Sequence, residues 1–394
     1  MIQVEEARRL ILERAFPLEP ERTPLINARG RILRTAALAD LDSPPFDASA
    51  MDGYAARRAD LAEPLRIIGE AAAGTTFPGT VGAGECIRIL TGAPVPAGAD
   101  CVVRQEDATR EGTTVRVAHP RSLPDFIRRR GENRRAGDIV VPAGMRLGAP
   151  ELAALAAIGV VNPEVTRPPT CAHLVTGNEL VAPFRQPVGA QIRDSNSTLI
   201  DHLIQTHGAR NGNHAMTRDD LAAARLALAS MGEADILLLS GGAGAGDHDF
   251  ARPLLKSLGY EIHFDQLNLR PGRPLVFASQ GRRFAFALPG NPVSHWVTFQ
   301  LFVSPLIQKL QTGIDAPLPR LTGRLAAGSK APPPDARRTF WPCRATIVNG
   351  GHELTLLPLA SSGDSSGLVG ANALLPLPAN SLDPAQAVEF IPCP

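Results

Sequence analysis

Leu237-Leu-Leu-Ser240-Gly241-Gly242-Ala-Gly244-Ala-Gly246-Asp247-His-Asp249 is the stretch on which the fold turns. Its uninterrupted apolar start reads as a strand buried on both faces, as strands of a parallel sheet are. The strand runs straight into glycines, then two acids, then a helical pattern over 249–258. In a parallel sheet this junction is the carboxyl end of a strand, where ligands bind. Glycines let backbone N–H groups approach an anion, and Asp247 and Asp249 suit a divalent cation beside it. The plainer alternative is a turn whose two acids cap the next helix. A P-loop is excluded because no Gly-Lys-Ser/Thr follows, and a dinucleotide fingerprint would need Gly where Asp247 stands.

Working outward, residues 171–175 and 235–239 read as buried strands. Residues 197–206 read as a helix stopped by Gly208, and 221–231 as a helix capped by Thr217. Residues 261–264 are strand-like, and 275–278 and 284–288 form a pair turned at Gln280-Gly281. A long helix is expected from Pro292 to about Leu310. Strands alternating with helices imply a three-layer α/β domain with a mostly parallel sheet. The segment 166–170 reads as a linker. Before it, residues 3–16 form an amphipathic helix with Val4, Ala7, Leu10, Ile11 and Ala15 on one face, ended by Pro17. Short β-like runs at 65–68, 86–90, 101–104, 114–117 and 139–141, separated by Gly and Pro, argue for small antiparallel or barrel-like sheets. Pro150 opens a compact helix closed by Gly159. From about residue 318 short strands among prolines return.

Composition narrows the class. The 394 residues suit two to four domains. Gly and Pro number 36 each, yet 44% of residues are hydrophobic, so turns surround real cores. A net charge of +1 excludes a polycation built for nucleic acid. Only Lys256, Lys309 and Lys330 among the 40 basic residues are lysines. Base composition of the genome explains that bias; retention of arginines for oxyanions is the alternative. Five scattered cysteines without CxxC spacing point to reduced thiols and a cytoplasmic protein. No signal peptide or membrane-length apolar run is read in the chain.

Further motifs carry polar chemistry. Leu288-Pro289-Gly-Asn291-Pro292-Val-Ser294 follows a strand and opens a helix, a ready anion site or simply a well-made turn. Arg270-Pro-Gly-Arg273-Pro sets two guanidinium groups on a stiff loop suited to an oxyanion. Thr176-Gly-Asn-Glu179 leaves a strand end, and Asp194-Ser-Asn precedes a helix. In the first half, Asp47 and Asp52 lie in an unusual Phe-, Met- and Tyr-containing run, and Thr91 opens a rigid turn. The Arg128–Glu132 run reads as a solvated charged loop. The nine histidines form no HxH or HExxH set, and no GxSxG elbow supports serine hydrolysis.

Taken in order, these motifs resemble the molybdopterin molybdenumtransferases, the MoeA and gephyrin E-domain family. The matching elements are Phe46-Asp-x-Ser-Ala-Met-Asp-Gly-Tyr-Ala55, Thr91-Gly-Ala-Pro-Val-Pro96, Arg130-Gly-Glu132 and Val141-Pro-Ala-Gly144. They continue with Thr176-Gly-x-Glu-Leu180, Asp194-Ser-Asn196, Ser240-Gly-Gly242, Gly246-Asp-x-Asp249, Pro271-Gly-Arg-Pro274 and Leu288-Pro-Gly-Asn-Pro-Val-Ser294, with a weaker match over 363–377. The resemblance implies a multi-domain α/β plus β protein. Its parts would be an N-terminal helix over 1–20, a connecting domain from 21–44 and 142–167, and an inserted β-rich domain at 45–141. A central molybdopterin-binding α/β domain would follow at 168–315, and a C-terminal β-barrel at 316–394.

The resemblance also implies insertion of molybdate into adenylylated molybdopterin with release of AMP and help from Mg²⁺. A homodimer would share the active site between subunits, with a molybdopterin adenylyltransferase and molybdoenzyme apoproteins as possible partners. Asp247, Asp249 and Glu179 would then serve metal and catalysis, with Asp52 and Thr91 supplied by the partner subunit. Ser240, Gly241, Gly242, Gly244, Gly246, Arg270, Arg273, Pro289, Asn291, Pro292, Ser294 and Asp194 would bind substrate. Three departures from the family pattern stand out: Asn133 and Asn178 replace acids, and Gln266 replaces a lysine. They leave open a working enzyme, a weak paralogue acting as carrier or scaffold, or a tungstate-using variant.

Overall fold

Alternation of large and small side chains along adjacent strands builds the centre of the fold. The computed structural model describes residues 1–120, 123–242, 250–377 and 387–394. The chain divides into two units. One contains Met1–Glu21, Gly30–Ile32 and Val165–Pro394; the other contains Arg22–Arg29 and Leu33–Glu164.

In the first unit a six-stranded sheet runs in the order Arg210–Thr217, Thr170–Thr176, Ile236–Ser240, Arg283–Leu288, Val276–Gln280, Glu261–Phe264. The first four strands are parallel, and Val276–Gln280 runs antiparallel between Arg283–Leu288 and Glu261–Phe264. Phe277, Phe284, Phe286, Ile236 and Leu238 point to one face and pack with Trp296, Phe299 and Phe302. Ala278, Ala285, Ala287, Leu237 and Leu239 point to the other, against Ala224, Leu254 and Leu255. Period-two alternation thus gives one sheet two helix-covered faces, the expected three layers. The N-terminal helix Val4–Leu12 joins the aromatic face through Val4, Ala7 and Ile11.

Three local readings are corrected or refined. The helix Leu221–Met231 is capped by Asp220, whose side chain accepts from the Ala223 N–H at 2.7 Å. Thr217 instead ends the Arg210–Thr217 strand, which the sequence hid because a polar edge strand carries little apolar pattern. The helix from Pro292 runs on without interruption to Thr312, as expected, but with a π-helical turn at Phe299–Val303 between Pro292–Thr298 and Ser304–Thr312. Pro305 explains that turn, because it has no N–H to continue the regular ladder. Residues 166–170 are no free linker. Arg167 donates twice to Asp235 at 2.7 Å, and the N–H and hydroxyl of Thr170 donate to the same carboxylate at 2.8 and 2.9 Å.

The same unit closes a barrel. Arg338–Val348 pairs with Gly351–Leu356, which pairs with Leu321–Leu325, then Ala387–Pro392, then Ala373–Leu377, and the last returns to Arg338–Val348. Cys343, Leu354, Leu375 and Phe390 fill its interior. Leu269–Arg270 adds a short parallel rung to Arg338 and Thr339.

The second unit holds a mixed sheet in the order Cys101–Arg104, Gly53–Ala56, Glu85–Ile89, Leu65–Ala71, Thr114–Val117, Ala108–Glu111. Tyr54, Ala56, Cys101 and Val103 pack on one side of it, and Ala55, Ile87, Ile89 and Val102 on the other. The helix Ala149–Ala157 begins with Pro150 in its first turn, and the Gly148 N–H is met by Glu151 at 2.9 Å. All five cysteines are buried free thiols, and burial pushes those of Cys86 and Cys343 up to about 11 and 12. Among the described residues no helix is long and apolar enough to cross a membrane.

Burial alone would push Asp235 up, but Arg167 and Thr170 outweigh it and hold the carboxyl below its ordinary value. Its stabilising contribution is therefore present above the unfolded value near ~3.9 and is lost as pH falls through the lower folded one. Asp235→Asn is expected to cost about 2 kcal/mol in urea unfolding at neutral pH. The gap from the parent protein should narrow in acid, below the usual carboxylate range.

Candidate functional site

Gly241 ends the central strand with φ +102°, and a Cβ there would lie 2.4 Å from the Thr176 carbonyl oxygen. Only glycine lets the chain turn so tightly at that strand end. The turn opens into a cavity of about 710 Å³ at the carboxyl ends of Ile236–Ser240 and Arg283–Leu288. Its walls come from three sources. The strand ends give Gly241, Gly242, Pro289, Gly290, Asn291 and Ser294; the stiff loop gives Arg270 through Pro274; the barrel region gives Lys330, Arg337, Trp341 and the run from Leu357 to Ser362.

The cations divide into two kinds. Asp335 accepts two bonds from Arg337, at 2.8 and 2.7 Å, and lies 3.6 Å from Arg270. The Arg337 side chain and N–H hold the Asp335 carboxyl far below its usual range. Arg270 also donates to the Pro333 carbonyl at 2.7 Å. Among the described residues neither Arg273 nor Lys330 has an ion-pair partner, and both side chains are exposed on the cavity. The Arg273 side chain hydrogen-bonds Gln266 at 3.4 Å, one of the positions that departs from the family pattern. Trp341 and prolines 271, 274, 332, 333 and 358, several of them next to the charged residues along the chain, add an apolar surface to the cavity wall. Trp341 donates its indole N–H to the Leu357 carbonyl at 2.9 Å, which fixes the ring. Anion-binding groups beside a flat apolar wall suit a ligand with both phosphate and a planar ring.

The expected substrate residues divide by location. Gly241, Gly242, Arg270, Arg273, Pro289, Asn291 and Ser294 line the cavity together. Pro292 is the first residue of its helix. The helix start is already engaged, because the Val293 N–H donates to the Ser362 carbonyl at 3.1 Å and Asn291 donates to the Ser362 hydroxyl at 2.8 Å. Ser240 is buried, with its hydroxyl between His173 and His295 at 2.6 and 2.7 Å. Asp194 is buried and caps the helix Asn196–Thr206 through the N–H and hydroxyl of Ser197. Glu179 is exposed at its strand end. Gly244, Gly246, Asp247 and Asp249 lie outside the described residues. Among those described, no three His, Cys, Asp or Glu side chains gather as a metal site.

In the other unit Asp52 and Thr91 do meet. The N–H and hydroxyl of Thr91 both donate to Asp52 at 2.7 Å and hold its carboxyl below the usual range. The Arg128–Glu132 run is largely exposed, as a solvated charged loop is, and is also pinned by hydrogen bonds. Asp47 accepts from the Arg130 N–H at 2.8 Å and from the Arg129 side chain at 2.9 Å, while Arg128 bonds Glu132 and Asn133. Lys330, Arg337, Trp341 and Ser362 were missed by the sequence reading, as were His173 and His295. The weak tail match over 363–377 covers none of them, and barrel and sheet meet through pairings far apart in sequence.

Comparison with known proteins fits this geometry. Residues 2–159 match the family model described as MoeA N-terminal region (domain I and II), and 172–309 match the probable molybdopterin binding domain. The molybdopterin molybdenumtransferase of Haemophilus influenzae is 34% identical over 79% of this chain and 78% of its own length. That of Staphylococcus epidermidis is 30% identical over 96% and 91%. Among solved structures, the molybdopterin biosynthesis MoeA protein of Pyrococcus horikoshii superposes with a TM-score of 0.84 at 27% identity, covering 100% of this chain and 99% of that one. With its α/β domain, its mixed sheet and its closed barrel, the chain belongs to the molybdopterin molybdenumtransferase family of molybdenum cofactor biosynthesis.

Proposed function

We propose that the protein inserts molybdate into adenylylated molybdopterin, releasing AMP and yielding molybdenum cofactor. The observation that carries this reading is the cavity that sets Arg273 and Lys330, free of ion pairs among the described residues, against the Trp341 wall. Both substrates are anions, and one adds planar rings, so these groups bind them in the ground state. Cleavage of a phosphoanhydride needs charge stabilisation and positioning more than a protein nucleophile. Arg270 and Arg337, held by Asp335, keep the cavity wall rigid, and Arg273 and Lys330 meet the incoming charge. Gly241 and Gly242 give close backbone approach.

Asp247 and Asp249, with Glu179, are assigned to Mg²⁺, since carboxylate oxygens suit a hard cation. When bound, the ion neutralises charge on the phosphoanhydride. The protein is further assigned to the cytoplasm and to a homodimer, with Asp52 and Thr91 of one subunit completing the site of the other. The class of reaction that supplies the substrate is adenylyl transfer to molybdopterin, and apoproteins of molybdoenzymes consume the product.

Purified protein given adenylylated molybdopterin, Mg²⁺ and molybdate should release AMP; binding without AMP release overturns the proposal. Arg273→Ala should raise KM for adenylylated molybdopterin about 10-fold or more, the weight of one charge-assisted hydrogen bond. The shared site has its own check. Asp52→Ala and Arg273→Ala variants, each weak alone, should recover roughly a quarter of the parent rate when co-expressed, because half of randomly mixed dimers carry one intact site.

A further inference from the structure

Directly beneath the cavity lies a polar chain that binding of the anions does not use. The Ser240 hydroxyl sits 2.6 Å from Nε2 of His173 and 2.7 Å from Nε2 of His295. All three side chains are buried, and none lines the cavity. A serine has one O–H, so it donates to one ring and accepts from the other. The two rings must therefore be opposite tautomers. The carbonyls of Pro289 and Asn291 face the His295 ring and favour a proton on it, although neither makes an aligned hydrogen bond to Nδ1. Among the described residues Nδ1 of neither His173 nor His295 has a hydrogen-bond partner. A bare acceptor is the less costly orphan in a buried site, since unpaired buried N–H groups are the rarer kind. The order that satisfies both observations runs from His173 Nε2–H to Ser240, from Ser240 O–H to His295 Nε2, and leaves Nδ1–H of His295 towards the two carbonyls.

We propose that Ser240 is a positioning residue, which ties the Gly241–Gly242 strand end to the Pro289–Asn291 wall through His295 and thereby fixes the width of the cavity. Its role differs from the direct substrate contact expected from the sequence. Burial keeps both rings neutral: it pushes His295 down to about 4 and His173 well below its ordinary value, with neighbouring His214 acting in the same direction on His173 and Asp194 opposing it at His295. The kinetic readout rests on the transferase reading, whereas the tautomers do not.

The test uses the full chain and two variants, Ser240→Ala and, as a control for lost stability on the same strand, Leu238→Ala. Heteronuclear NMR of the ring nitrogens at neutral pH should show His173 protonated at Nε2 and His295 at Nδ1, and Ser240→Ala should abolish that pairing. Ser240→Ala should raise KM for adenylylated molybdopterin ~10-fold and weaken AMP binding similarly in calorimetry. The control should lower Tm while leaving KM and AMP affinity at parent values. Identical tautomers, a charged ring, or equal KM and AMP affinity in the two variants overturns the proposal. Absence of AMP release from the parent protein, with the tautomers as stated, overturns the transferase reading alone.

Discussion

Everything in the α/β half follows from the position of one strand. Ile236–Ser240 has hydrogen-bonded neighbours on both edges and helices over both faces, so every residue along it, Ser240 included, is buried. A polar side chain inside such a strand must find its partner within the protein. Ser240 does so with two histidines, and the backbone then turns at Gly241. The boundary between apolar strand and binding surface is therefore only one residue wide. Parallel packing aligns that boundary with the end of Arg283–Leu288, and the cavity forms where the two ends meet.

This constraint explains what could be read beforehand. Strands buried on both faces declare themselves as apolar runs, and the glycines and prolines at their ends mark where binding loops begin. The strand pair turned at Gln280-Gly281 and the cavity positions Arg270, Arg273 and Asn291 were legible for that reason. The edge strand Arg210–Thr217 was not, because one side of it faces water and its residues need no pattern. Nor was the π-helical turn at Phe299–Val303, where the helix continues but its hydrogen-bond spacing changes.

The barrel's share of the site was hidden by distance along the chain. Lys330, Arg337 and Trp341 belong to a region that reads as prolines and short strands, and it reaches the cavity through the pairing of Leu269–Arg270 with Arg338 and Thr339, the bonds of Ser362 to Asn291 and Val293, and a shared apolar core. A guanidinium held by Asp335 and one exposed on the cavity look identical in sequence. Partner choice, set by packing, separates them. His173 and His295 were invisible for a related reason: their meeting at Ser240 depends on the register of two neighbouring strands for His173 and on the packing of the helix Pro292–Thr298 for His295.

The barrel is not a detachable module. Phe340, Leu374, Ile391 and Cys393 on its outside share one apolar core with Trp296, Phe299 and Phe302 of the layered domain. Cutting between the two would strip a common interior, not a wet interface, and would remove one wall of the cavity in the same stroke. In evolutionary terms the two parts are bound to drift together: a change of volume on one side must be answered on the other. Insertions are better tolerated in loops that lie apart from this seam than across the shared core.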